Sequence, residues 1–470
     1  MKGLTSMLIF CVLMITLVPA RSWGELAEGP GRTWVEIGGE IYGARPDERG
    51  PIGGGKGYRN VITDGNFRVR TVDELAAALK TAQPGQTVFV PGDAELDCAD
   101  QIFAEDFHVD VPGGVTLAGD RGFRGSPGAL IYSDAFATKP LVRILGPGVR
   151  ITGLRLRGPD PKRRLEHHQR SFNKDRGDDK QQHDYYYRLP VSQGIRTESD
   201  ELEVDNCELS GWSHVAVFLS AGRGHRIHHN YIHHNQLNGL GYGISHGYNP
   251  SASLIECNLF NFNRHSIAAT GAPGNSYEAR NNVELGESLS HNFDMHGGRD
   301  RKDGTEIAGD LIRIQHNTFL GSKVRAVVVR GVPREEARID HNWFAHERAD
   351  ENLIRPWPLT PESRIFLENN AYGLRHPLVR DRKAEDQEMD DLISHLMEQI
   401  LTLSAFCDRH VISCHSLENG KLLSNPESSR HFGFLVRFGI AQNHVESVDF
   451  RLERGEPDFQ QHRFIQPKHP

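Results

Sequence analysis

After residue 18 this chain has no apolar run long enough to cross a membrane, which excludes a helical membrane protein. Positive charge is short as well: 54 Lys and Arg stand against 62 Asp and Glu, a net charge of −8, which argues against a nucleic-acid binder. Cysteine is scarce and lacks the spacing of a metal-binding motif. Met1 to Gly24 reads as a secretory signal. Lys2 precedes an apolar stretch from Met7 to Val18, broken only by Thr16, and Pro19, Ala20 and Ser22 follow as small residues for cleavage. Its removal takes two cations and no acid, giving −10, and leaves Cys98, Cys207, Cys257, Cys407 and Cys414. The expectation is a soluble chain, secreted or periplasmic, monomeric and without a membrane span. Cys407–Cys414 is its candidate disulfide.

What the chain does have is one phrase, repeated. It reads VDNCEL at Val204, IHHNYI at Ile227, ECNLF at Glu256, RNNVEL at Arg280, QHNTF at Gln315, DHNWF at Asp340 and ENNAY at Glu368. The recurring residues are Asn206, Asn230, Asn258, Asn282, Asn317, Asn342 and Asn370, in steps of 24, 28, 24, 35, 25 and 28. Such a period marks a solenoid, whose units are too short to bury an apolar face alone and must stack to share one. Short β-type runs such as Ala326-Val-Val-Val329 and Ile365-Phe-Leu367, with no helix-length stripe among them, make each unit a coil of strands.

On these residues, from about Thr71 to Gly373, the chain resembles the right-handed parallel β-helix proteins of the pectin-lyase-like, carbohydrate-active group, with an Asn stacked at one corner of each coil. The fold class is therefore all-β, a right-handed parallel β-helix solenoid. The resemblance implies the scaffold only, since lyases, hydrolases, epimerases and non-catalytic adhesins share it. An Asn side chain can bond the turn backbone and its neighbours above and below, so the Asn column is structural.

The expected layout is a signal peptide over 1–24, an extended N-terminal segment over 25–70, the β-helix over 71–380, and an extension over 381–470 of helical and irregular character. Thr71 to Ala82 reads as a capping helix, with Thr71 as N-cap, Asp73 and Glu74 in the first turn, and Leu75, Ala78 and Leu79 on one side. A second helix is expected from about Glu385 to Leu403. A polar insertion at 159–187, ending in Tyr185, Tyr186 and Tyr187, interrupts the coils; exposed aromatics with polar tips suit sugar stacking.

Aligning the coils on their Asn phrases aligns a later strand, and alternation sets the last residue of each copy outward. That column is Leu219, His246, Thr270, His296, Arg330 and Arg355, with Asp294 two residues before His296 on the same face. A second column carries His265, His291 and Arg325, with Asp350 below. His225, His228, His229, His233, His234, His316 and His341 belong to the turn phrase and read as corner hydrogen-bonders.

Arg beside His on a long face points to an anionic sugar. Arg grips a carboxylate with paired hydrogen bonds, and a neutralised uronate has a more acidic C5 proton for a His or Tyr to remove. The expected enzyme is a lyase cleaving an acidic polysaccharide by β-elimination. His296 serves as base or acid, Asp294 as its orienter, His246 as second proton-transfer group, and Arg330 and Arg355 as carboxylate clamps. His265, His291, Arg325 and Tyr185 to Tyr187 border the substrate. Asp294-Met295-His296 is similar to the Asp-x-His core of the mannuronan epimerases' Asp-Pro-His-Asp motif, with Met295 in place of Pro and Gly297 in place of the second Asp. The alternatives are a C5-epimerase, a glycoside hydrolase, or a glycan-binding protein without catalysis. No cofactor is expected, with a divalent metal at the His/Asp face as the alternative; the ligand types suit zinc better than calcium.

Overall fold

Runs of two to seven apolar and β-branched residues, separated by turns, cannot build a sheet within one coil, so each strand pairs with its equivalent in the next. A computed structural model of the chain shows this arrangement. It describes residues 31–159, 190–237, 239–349, 353–356 and 359–379, and the backbone of strands between 417 and 454. The expected signal segment, the insertion with its three tyrosines and the expected helix at 385–403 lie outside the described residues. Two units divide the chain, Met1–Asp381 and Arg382–Pro470. In the second unit the described backbone is antiparallel, pairing Phe432–Ala441 with His444–Arg454, where the sequence reading found no strand. Among the described residues no helix is long and apolar enough to cross a membrane.

The first unit is a parallel β-helix of three long sheets, with 11, 11 and 9 strands. Each coil sends one strand to each sheet, and three inward columns make the core. In the first sheet the column runs Val204, Ile227, Ile255, Ala279, Ile314 and Ile339. In the second it runs Leu209, Ile232, Phe260, Glu284, Phe319, Phe344 and Tyr372. In the third it runs Ile195, Val217, Ile244, Ile267, Phe293, Val327 and Ile354. Each fully buried side chain of this kind stabilises the fold by roughly 1.5–3 kcal/mol. Glu284 breaks the pattern. Burial pushes its carboxyl up to about 8, against the opposing Ser266 hydroxyl, so it sits in the core as the neutral acid.

The helix Val72–Thr81 closes the N-terminal end, with the Thr71 hydroxyl accepting from the Glu74 N–H at 3.2 Å and Leu75, Ala78 and Leu79 buried. At the corner between the first and second sheets, Asn side chains form a ladder. The amide of Asn230 donates to Asn258 at 3.0 Å, Asn258 to Asn282 at 3.0 Å, Asn282 to Asn317 at 2.9 Å, and so on to Asn370. Asn206 is not a rung. The N–H of Cys207 bonds Asn230 at 2.9 Å, so Cys207 holds the first rung position and Asn206 precedes it. Asn206, His229, Cys257, Asn281, His316, His341 and Asn369 all take positive φ, from 51° to 53°, and form a left-handed column just ahead of the ladder.

An N-terminal strap runs along that column. Its hairpin, Trp34–Ile37 with Glu40–Gly43, stacks Tyr42 on His341, and the Arg45 N–H donates to Asn281 at 3.2 Å. Further on, Gly53 donates its N–H to Cys257 O at 2.9 Å, Gly55 donates to Asn206 at 2.7 Å, and the Tyr58 hydroxyl donates to Asp205 at 2.8 Å. Gly54 has to be glycine: it combines φ +66° with a backbone so near that a Cβ would meet His229 O at 2.3 Å.

Candidate active site

The outward face of the third sheet carries three short rows. The first holds Tyr242 and His265, which start their strands, and His291 and Arg325, each two residues ahead of its strand. Ser245, Ala268, Asp294, Val328 and Arg355 form the middle row. Just past the strand ends come Thr270, His296 and Arg330, whose N–H groups bond His246 O, Ala269 O and Met295 O of the preceding coils.

The expected single row therefore divides. Leu219 and His246 pair with Ala269, Met295 and Val329, the inward positions, so the alignment slips by one residue in two coils. His246 is fully buried, with Nδ1 2.6 Å from the Ser251 hydroxyl and Nε2 2.9 Å from that of Ser253. Burial, with the charge of His225 added, drives its pKa down to about 3, and it has no path to a substrate. Arg355 does face outward and is exposed, but it stands level with Asp294 and Val328, two residues short of Arg330. The loops between sheets differ in length, and in consequence the five-residue strand Tyr242–His246 and the three-residue strand Phe293–Met295 enter alternation at different points.

One carboxylate organises the site. Asp294 has no solvent exposure, and its Oδ2 lies 2.9 Å from His296 Nε2, 3.1 Å from His291 Nε2 and 3.6 Å from His265 Nε2. Arg330 grips both oxygens, Nε to Oδ1 at 2.9 Å and Nη2 to Oδ2 at 2.7 Å. Burial alone would raise the carboxyl's pKa, but His291, His296 and the surrounding positive charge hold it well below the usual carboxylate range. His265, wholly buried, is pushed well below the ordinary imidazole value by burial and by Arg264, against the pull of Asp294. Its ring stacks on His291 at 4.0 Å, and its Nδ1 donates to His291 O at 2.5 Å. Burial lowers His291 too.

The two remaining imidazoles reach solvent: His296 is 26% exposed and His291 16%. The His296 Nε2 contact with Asp294 lies off the hydrogen-bond axis, so it is electrostatic first. Arg330, by contrast, is spent. Its third nitrogen donates to Asp300 at 3.3 Å, so it fixes Asp294 rather than presenting a free fork to a substrate carboxylate. Arg325 lies in the starting row, as expected; Asp350 and Tyr185 to Tyr187 are outside the described residues. Asp300 escaped the sequence reading. Its signal is the Gly297-Gly298 pair before it, since Asp300 accepts the Gly297 N–H at 3.2 Å and caps a short turn beside the site. His265, His291 and Asp294 offer nitrogen and oxygen donors within 4.8 Å of one another, a set that suits zinc, although Arg330 already covers both Asp294 oxygens.

No family model matches this chain, and no curated protein does. Among solved structures it is similar to an alginate lyase from Paenibacillus sp. FPU-7, with 14% identity over 66% of this chain and 99% of that one, at a TM-score of 0.34. It is also similar to the Dettilon tailspike protein, with 13% identity over 61% and 53% and a TM-score of 0.34. A third is the catalytic unit of an α-1,3-glucanase from Streptomyces thermodiastaticus HF3-3, with 13% identity over 64% and 55% and a TM-score of 0.35.

Proposed function

We propose that the protein is an exported polysaccharide-active enzyme, and specifically a lyase that cleaves an acidic polysaccharide by β-elimination. The observation that carries this reading is His296, an imidazole open to solvent and seated against a buried, charged carboxylate. That pairing orients a ring and stabilises it once it has taken a proton. His296 removes the C5 proton of a uronate, the electron pair forms the C4–C5 double bond, and the C4–oxygen bond to the leaving sugar breaks. The leaving oxygen takes a proton from a second group, for which His291 stands beside His296. Arg355, exposed in the Asp294 row about two coils on, roughly 10 Å at the spacing of parallel strands, is placed to meet a uronate carboxylate.

Hydrolysis fits less well. A glycosidase needs two carboxyl groups that both reach the sugar, and Asp294 has no exposed surface. The test is to follow the ultraviolet absorbance of unsaturated uronate while the purified protein meets a panel of uronic-acid polysaccharides, with and without chelator. A rising signal that His296→Ala lowers by about 10²–10⁴ supports the lyase. No signal on any acidic polymer, together with release of reducing ends, would replace it with a hydrolase.

A further inference from the structure

Away from that face, the structure assigns a transition-metal site to Asp47, His229 and Cys257, which we propose holds a zinc ion that pins the N-terminal strap to two neighbouring coil corners. The donor atoms, a carboxylate oxygen, an imidazole nitrogen and a sulfur, lie within 4.8 Å of one another. Asp47 Oδ1 is 3.1 Å from His229 Nε2, and Asp47 Oδ2 is 3.7 Å from Cys257 Sγ. Around a tetrahedral zinc bound through one carboxylate oxygen the edges would be about 3.4 Å for oxygen to nitrogen and about 3.6 Å for oxygen to sulfur, close to these two contacts, which use the two different oxygens of Asp47. His229 and Cys257 both belong to the left-handed column, and both side chains meet Asp47 of the strap.

With both imidazoles neutral the row beside this site is one hydrogen short, a shortfall that either a third proton or a metal cation makes good. Asp47, His229, His228 and Glu203 form a row with three close gaps: 3.1 Å from Asp47 to His229 Nε2, 3.1 Å between the two Nδ1 atoms, and 2.9 Å from His228 Nε2 to Glu203. Each gap needs one hydrogen, and two neutral imidazoles supply two. If His228 donates to Glu203 and His229 donates to His228, a bare His229 Nε2 faces a carboxylate oxygen. A cation shared with the Cys257 thiolate fills that gap, and the thiol proton leaves to solvent as the sulfur binds. Arg49 does not occupy the place. Its Nε and Nη2 both bond Oδ2, at 2.9 and 2.5 Å, so Oδ1 is left to the Arg49 backbone N–H at 2.8 Å and His229 Nε2 at 3.1 Å. Asp47 is 23% exposed on its side chain, which leaves room for water as fourth ligand.

Cobalt titration of the chelator-treated, full-length protein tests the proposal, because thiolate bound to Co²⁺ gives a charge-transfer band. One equivalent is expected to produce the band; Cys257→Ser should abolish it, and a Cys407→Ser/Cys414→Ser variant should keep it. Asp47→Asn, at the rim, should fold as wild type by circular dichroism yet bind cobalt more weakly. Three results would each overturn the site: no band in wild type, a band that persists in Cys257→Ser, or Asp47→Asn binding cobalt as wild type does. Asp294→Asn, which removes the His/Asp cluster on the third sheet, should leave the band unchanged.

Discussion

The ladder corner and the outward face of the third sheet are built from the same coils, yet they obey opposite rules. At the corner, from Asn230 on, each coil repeats the last: a left-handed residue, then an Asn of the ladder. On the face no two coils match, and Ser245, Ala268, Asp294, Val328 and Arg355 follow one another in one row. The corner must satisfy buried backbone groups in every coil, so its chemistry is fixed. The face has no such obligation and is free to concentrate charge in one place.

The sharpest way to break that contrast is to strike the face. His296→Ala should lower turnover by about 10²–10⁴ while leaving the unfolding midpoint near wild type, as read from initial rates and urea melts. Asp294→Asn should act on both, because removing the charge takes from the partly buried Arg330 its two-pronged ionic partner and leaves only the 3.3 Å contact with Asp300; a stability loss of about 3–5 kcal/mol is expected by urea denaturation. Striking the corner should leave kinetics intact. Asn282→Ala deprives both the N–H and the side-chain amide of Asn258 of their acceptor, and each such loss costs about 1–3 kcal/mol. Asn206→Ala lies outside the ladder, removes the acceptor for Gly55 and Arg121 and the donor to Arg121 O, and should cost about 1–3 kcal/mol, less than Asn282→Ala. Equal losses from the two Asn substitutions would refute the distinction between rung and neighbour.

The last effect is a slope and not a step. Glu284 is raised from an ordinary 4.5 to about 8, so between those values the unfolded chain has released a proton that the folded chain keeps. Stability should therefore fall as pH rises from about 4.5 to about 8. Glu284→Gln should flatten that part of the profile, as melts across the range would show.

The same contrast explains what could be read in advance. The solenoid, its coil length and the capping helix at Thr71 were legible because each rests on a local rule repeated many times. Asn206 was misread because VDNCEL places its Asn one residue early, where a left-handed turn wants Asn as readily as a ladder does. His265, His291 and Asp294 could be grouped from spacing alone, since they sit within two adjacent coils. His246 could not be placed, because one residue of loop decides whether a strand's end faces in or out. The grip of Arg330 on Asp294 was hidden for another reason: which partner a guanidinium takes is a matter of three-dimensional reach, not of pattern.

The strap bears on how the chain reaches its fold. Coils form contacts with their neighbours in sequence, so the solenoid can grow from one end with little loop to close. The strap cannot take part in that growth. Its partners lie far along the chain: Asp47 waits for Cys257, 210 residues on, and Thr33 for Thr318, 285 residues on. The strap is thus among the last segments to find its place, and its docking reports that the corner column is complete from Asn206 to His341.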